Sequence, residues 1–267
     1  MNETDFEAAR SALASARREA RAIMSWPAAR LPHDLDEAYR LQAAVARELG
    51  ATSGWKVAAV TPAQRESLGV PQPIAAALLA PWMHDATAAA PMLRAAHFIA
   101  PKLECEFAFE FARDLPPRPQ RAYSRAEVQA AVGALRIAVE IVDSRLPRGL
   151  GTLAELTDAF NNGAFIAGAK IDHWHALDLA TVGIVLTRRR DGKSEEVARG
   201  SGRAILDGDP FGTVVLLANA PADAERGIAA GSIVTTGSCT GAPPLPGAGD
   251  YRAEFAGLGS VAFRFTA

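Results

Sequence analysis

Two cysteines in 267 residues, Cys105 and Cys239, are too few and too far apart to form a disulfide framework, and they fit a reducing compartment. No apolar run reaches the roughly 18 residues that a membrane-spanning helix needs. Neither sign of charge dominates. With 28 Lys and Arg against 30 Asp and Glu, the formal net charge is −2 and the pI about 6.2, so nothing suggests a nucleic-acid or membrane partner. The opening stretch "MNETDFEAARSALASARREARAIM" is charged throughout and has no apolar core of a secretory signal, so the cytoplasm is the expected location. Internal repeats and low-complexity linkers are missing as well. What remains is a chain that is 49% hydrophobic and long enough to bury a large core.

Apolar periodicity predicts amphipathic helices over 4–24 and 34–49, the second with Asp34 as N-cap and Gly50 as stop. From residue 51 the character changes to short strands: 54–60, 102–111, 136–144, 163–171 and 232–241. A hairpin turns at Asp191-Gly192 and a second near Gly257. Short helices are expected over 62–68, 125–135, 152–161 and 210–220, with proline-marked loops at Pro71, Pro73 and Pro81. The organisation is a helical part (1–50) followed by a β-rich body (51–267) in one integrated α+β domain.

The stretch "PKLECEFAFEFARDL" (101–115) carries the chemistry. Side chains alternate across a strand, so Leu103, Cys105, Phe107, Phe109 and Phe111 share one face, and Lys102, Glu104, Glu106, Ala108 and Glu110 the other. A solvated edge would account for the acidic face alone. In "RIAVEIVDSR", however, Glu140 stands among small apolar neighbours, where an unpaired carboxylate is costly to bury. A hard divalent cation answers both problems: Glu104, Glu106 and Glu140 could converge on one ion that prefers carboxylate oxygens. Cys105 points to the opposite face and reads as a small core residue. "RRRDGKSEE" has Thr187 where a phosphate-binding loop needs glycine, and "HWH" (173–175) lacks the further ligands of a zinc site.

"KLECEFAF", "AVEIVDSRL" and "GSCTG…GDYRAEFAGLGSVAFRF", in this order, resemble the fumarylacetoacetate hydrolase superfamily. "GWKVAAVTPAQRESLGVPQP" and "GDPFGTVVLLAN" are similar to its branch of 2-oxopent-4-enoate hydratases and 4-oxalocrotonate decarboxylases. The resemblance spans most of 35–265. It implies a mixed β-roll, barrel-like body with a small helical N-terminal part. It also implies Mg²⁺ or Mn²⁺ held by Glu104, Glu106 and Glu140, and a strand lysine at Lys56. Lys56 is then the cation that admits an anionic substrate and, with its pKa lowered by partial desolvation, a proton shuttle. Ser238 and Thr240 in "TTGSCTG" offer hydroxyls for a carboxylate or simply form a turn. Asp158 could assist proton transfer, position water or brace a helix end. The chain departs from the branch pattern at Ala58 and Ala76, where glycine is usual, and at Ala159, where asparagine is usual. Ala76 is expected at the substrate end of the pocket.

The activity implied is addition of water to a 2-hydroxydienoate or 2-oxoenoate, giving a 4-hydroxy-2-oxo acid. The alternatives are decarboxylation of a 2-oxo-3-enedioate, C–C bond hydrolysis, or the role of a weakly active partner subunit. A small 2-oxo acid is the expected ligand. The resemblance also implies a homo-oligomer and allows a complex with a related hydratase or decarboxylase.

Overall fold

In the computed structural model, which describes residues 1–118, 120–220 and 227–267, the chain opens with α1 (Glu3–Arg18), α2 (Leu35–Leu49), β1 (Thr52–Ala58), α3 (Pro62–Leu68), β2 (Ile74–Leu79), β3 (Met83–Asp85) and β4 (Met92–Arg94). It continues through β5 (Lys102–Phe111), α4 (Arg125–Ala131), β6 (Val132–Val142), α5 (Thr152–Thr157) and β7 (Asn162–Ile171). It closes with β8 (Gly183–Arg190), β9 (Lys193–Ser201), α6 (Pro210–Ala218), β10 (Ile233–Ser238), β11 (Gly249–Phe255) and β12 (Gly259–Thr266). Seven strands form a mixed sheet in the order β2-β1-β10-β5-β6-β7-β3, and five form a second in the order β4-β12-β11-β8-β9. The class is α+β, as expected. Among the described residues no helix is long and apolar enough to cross a membrane.

The alternating stretch becomes β5, the middle strand of the larger sheet. Its apolar face is core: Leu103, Cys105, Phe107, Phe109 and Phe111 are all buried. Phe107 meets Phe255 of the second sheet edge-on at 5.7 Å, and Phe109 packs against Trp174 and Phe211 at 5.0 and 5.1 Å. Helices α1 and α2 cover the β2 side, where Leu13, Leu41 and Val45 pack with Ala77 and Leu79.

Some boundaries differ from the sequence expectation. Helix α1 stops at Arg18 because Ala20 adopts a left-handed φ of 48° and Arg21 N–H donates back to the Ala16 carbonyl, a Schellman-type end. Helix α4 ends at Ala131, since Val132 onward is drawn into an eleven-residue strand against β5. Strand β2, to which the sequence assigned no element, carries no alternation because all six of its residues are buried on both faces. The two hairpins form where expected: Asp191 and Gly192 take φ of 52° and 76°, and Gly257 takes 76°.

Strand β1 runs parallel to β10 with Gly54 opposite Ile233, and a Cβ on Gly54 would lie 2.0 Å from the Ile233 carbonyl oxygen. Glycine is needed there for the two strands to approach, and this approach sets the position of Lys56 two residues on. Gly54→Ala is therefore expected to destabilise the fold by at least about 1–3 kcal/mol, the scale of overpacking, measured by urea denaturation. Unchanged stability would show that β1 can move off β10 at no cost.

Candidate metal centre

Strand register builds the site. In the antiparallel β5–β6 pair Glu104 stands directly opposite Glu140, and Glu106 opposite Ala138. Like charges directly opposed on one face of a sheet repel. Glu106 and Glu140 are buried and Glu104 is half-buried, so water screens them little. One carboxylate oxygen from each of the three lies within 4.8 Å of the others. Glu110, the remaining acidic residue of that face, is held apart by Arg136 at 2.7 Å and Lys170 at 2.5 Å.

The partners of the three are unevenly distributed. Glu106 Oε2 accepts from Gly237 N–H at 3.0 Å, where β10 bulges and Gly237 takes a φ of 95°. Glu140 Oε1 accepts from Lys56 Nζ at 2.7 Å and from Asn162 Nδ2 at 3.1 Å, whereas Glu140 Oε2 is buried with no hydrogen-bond partner among the described residues. An orphaned carboxylate oxygen beside two further carboxylates is costly unless a cation completes it. The all-oxygen donor set suits a hard divalent ion such as Mg²⁺ or Mn²⁺. The residues present fit such an ion.

Burial, with the neighbouring Glu140 charge adding to it and Lys56 opposing it, pushes the Glu104 carboxyl up to about 7, and burial beside the same charges raises Glu106 well above the usual range. Lys56 departs from expectation. Burial works against its charge, but the carboxylates of Glu140, Glu104 and Glu106 outweigh that and hold its pKa above the ordinary lysine value. The lowering expected from desolvation does not occur.

Lys56, Glu104, Glu106, Phe160, Asn161 and Ser238 help to line a cavity of about 320 Å³. One wall is a strained turn: Ala159, Phe160 and Asn161 take φ of 50°, 46° and 63°, a left-handed conformation that costs non-glycine residues roughly 1–2 kcal/mol each. It directs the Phe160 carbonyl onto Lys56 Nζ at 3.2 Å. Asp158, just before it, is buried and does not line the cavity. Its carboxylate accepts from Arg145 N–H at 2.9 Å and Arg145 Nε at 2.8 Å, so of the roles open to it the bracing one describes its contacts. Thr240 also lies off the cavity lining, and its Oγ1 accepts from Cys105 N–H at 3.1 Å. Ser238 lines the cavity while donating to the Gly241 carbonyl at 2.7 Å. Ala76 is a correction: it pairs with Lys56 across β1–β2 but is buried among Ala38, Tyr39 and Leu156, away from the lining, whereas Ala58 lines the cavity. Cys105 is core, with its thiol pushed up to about 12 by burial. Phe160 and Asn161 escaped the sequence reading, in which "DAFNNG" stood out only as a departure from a motif.

The raised carboxyls make stability depend on pH. A group whose pKa is higher folded than unfolded stabilises the fold fully below its unfolded value, near 4.5, and that contribution is lost as pH rises through about 7. In EDTA the melting temperature is expected to fall between about pH 5 and pH 8. Mg²⁺ should restore it at about pH 8 and have little effect at about pH 5, where protons compete for the same oxygens. Melting curves with the same Mg²⁺ response at both pH values would contradict a shared carboxylate site.

No family model matches the chain. The chain is 31% identical over 217 residues to a 2-keto-4-pentenoate hydratase of Paraburkholderia phymatum, spanning 80% of this chain and 78% of that one. Its structure superposes on the 4-oxalocrotonate decarboxylase from Pseudomonas putida G7, complexed with magnesium and adipate, with a TM-score of 0.85 and 25% identity over 99% of this chain and 98% of that one. A fumarylacetoacetate hydrolase family protein from Yersinia pestis shares the fold at a TM-score of 0.53 and 17% identity, over 79% of this chain and 91% of that one. These likenesses place the chain in the 2-keto-4-pentenoate hydratase family, with similarity over nearly its whole length to a 4-oxalocrotonate decarboxylase and a fold shared with a fumarylacetoacetate hydrolase family protein.

Proposed function

We propose that this protein is a divalent-metal-dependent hydratase that adds water to a 2-hydroxydienoate or 2-oxoenoate to give a 4-hydroxy-2-oxo acid. The observation that carries this reading is the three-carboxylate cluster with Glu140 Oε2 unpartnered, beside a buried lysine at a small cavity. Glu104, Glu106 and Glu140 would hold Mg²⁺ or Mn²⁺. When bound, the ion supplies Lewis-acid stabilisation of negative charge on the 2-oxo oxygen.

The chain's own groups have distinct tasks. Lys56 is an ammonium at neutral pH, held so by the carboxylates around it, and serves as a proton donor and a cation toward the substrate carboxylate. Hydration of 2-hydroxypenta-2,4-dienoate takes a proton from the 2-hydroxyl and places one on carbon 5. Water then delivers its hydroxyl to carbon 4 and a proton to carbon 3. Asn161, whose buried Oδ1 has no partner among the described residues, offers an acceptor to a substrate hydroxyl or to that water. Ala204, Ile205 and Leu206 add apolar lining to the cavity.

Decarboxylation of a 2-oxo-3-enedioate is the second reading, favoured by the superposition on the Pseudomonas putida decarboxylase over nearly the whole chain. One feature ranks it below the first. Among the described residues, Lys56 is the one Lys or Arg lining the cavity, and a dianion would leave its second carboxylate without a cation there.

The purified chain with Mg²⁺ is expected to hydrate 2-hydroxypenta-2,4-dienoate and to release little CO₂ from 4-oxalocrotonate. Lys56→Met should lower kcat by about 10²–10⁴-fold, the scale of a positioned acid or base. CO₂ release outpacing hydration would reverse the order of the two readings, and a normal kcat in Lys56→Met would remove the lysine from the chemistry.

A further inference from the structure

We propose that Arg17, on the N-terminal helix α1, is a positioning residue for the Glu140 carboxylate and acts on it through Asn162. The proposal rests on the reading of Glu104, Glu106 and Glu140 as the metal site, and extends it to a helix that does not reach the cavity.

Glu140 is fully buried, and which of its oxygens remains available depends on what occupies the other. Oε1 is taken by Lys56 Nζ at 2.7 Å and Asn162 Nδ2 at 3.1 Å, which leaves Oε2 free. The Lys56 ammonium is a point charge with three rotatable donors, so the directional contact is the one from Asn162. That contact exists only if the Asn162 amide points its nitrogen at Glu140, and an amide can be turned either way. Arg17 decides the matter. Its Nη2 donates to Asn162 Oδ1 at 2.9 Å, and a guanidinium has donors but no acceptor, so the amide oxygen must face Arg17 and the NH₂ must face Glu140. Arg17 also donates to the Asn162 main-chain carbonyl. Its guanidinium is stacked on the Trp82 ring, 4.4 Å from the centroid, which limits its freedom to swing.

Two further observations set Arg17 apart from a general brace. Arg145 also donates to the Asn162 carbonyl, at 2.9 Å, but not to its side chain, so among the described residues Arg145 holds the strand end while Arg17 orients the amide. Arg145 has an ion-pair partner in Asp158, whereas Arg17 forms no ion pair among the described residues and its Nε is buried without a partner. Burying a guanidinium this way is expensive, and an apolar side chain would dock α1 at lower cost. The cost is understandable if the position is kept for what it does to Asn162. Partners one step removed from a metal ligand fix its orientation, and their loss typically weakens metal binding about 10–100-fold.

The test is Mg²⁺ titration calorimetry on the purified full chain, with melting curves in EDTA reporting the fold separately. The variants are Arg17→Met, Arg17→Lys, Asn162→Ala and the pair Arg17→Met/Asn162→Ala. Arg17→Met and Asn162→Ala should each weaken Mg²⁺ binding by about 10–100-fold. The double variant should bind no more weakly than Asn162→Ala, because Arg17 acts through that amide. Arg17→Lys keeps one donor for Oδ1 and should recover part of the loss, which a purely structural helix contact would not predict. If Arg17→Met does not fold, Arg17→Lys combined with Asn162→Ala takes its place in the cycle. Folded single variants with wild-type Mg²⁺ affinity, or losses that add in the double variant, would overturn the relay and leave the metal reading standing. A wild-type chain that binds neither Mg²⁺ nor Mn²⁺ would overturn both.

Discussion

Repulsion between Glu104 and Glu140 is the constraint to which the rest of the site responds. The β5–β6 register sets them face to face, and Glu106 follows two residues along. Slipping the register by one residue would part the carboxylates, but it would also turn Leu103, Phe107 and Phe109 out of the core. The apolar face of β5 therefore enforces the acidic one. Five buried side chains on one side hold in place an arrangement on the other that electrostatics alone would disperse.

Everything around the cluster can be read as partial compensation. Lys56 supplies one positive charge, Gly237 N–H and Asn162 Nδ2 supply directed donors, and the left-handed turn at Ala159–Asn161 turns a carbonyl toward the lysine. The compensation is incomplete, as the raised carboxyls and the orphaned Glu140 oxygen record. Three carboxylates and one ammonium leave a deficit of two charges, which a dication would cancel. Backbone strain of this kind persists where the surrounding structure over-determines it and commonly marks functional sites.

Behind the carboxylates lies a layer of buried arginines and amides. Arg145 ties Asp158 to the end of β6, and Arg17 brings α1 to the start of β7. The helical segment and the sheet thus share a polar network as well as an apolar interface. Asp158, which the sequence left open between chemistry and bracing, makes its contacts within this layer.

The alternation in 102–111, the hairpins at Asp191-Gly192 and Gly257, and the capped helix at Asp34 were legible because each is a local matter of side-chain period, turn φ or end-capping. The three glutamates were legible as a face pattern on two strands. Strand β2 was not, because a strand buried on both faces has no alternation to read, and the early stops of α1 and α4 depended on backbone turns and sheet pairing that propensity does not register. Ala76 was misplaced because a departure from the branch pattern marks a position along the chain, and only packing shows that this one is covered by Ala38, Tyr39 and Leu156. The sequence by itself determined which carboxylates share a face and which side of β5 must be core, since strand geometry follows from spacing alone. Only the tertiary structure decided that Lys56 is held protonated, that Phe160 and Asn161 wall the cavity, and that Arg17 meets Asn162 across 145 residues of chain. Those outcomes depend on burial and on contacts between distant segments, and neither is encoded in the order of neighbouring residues.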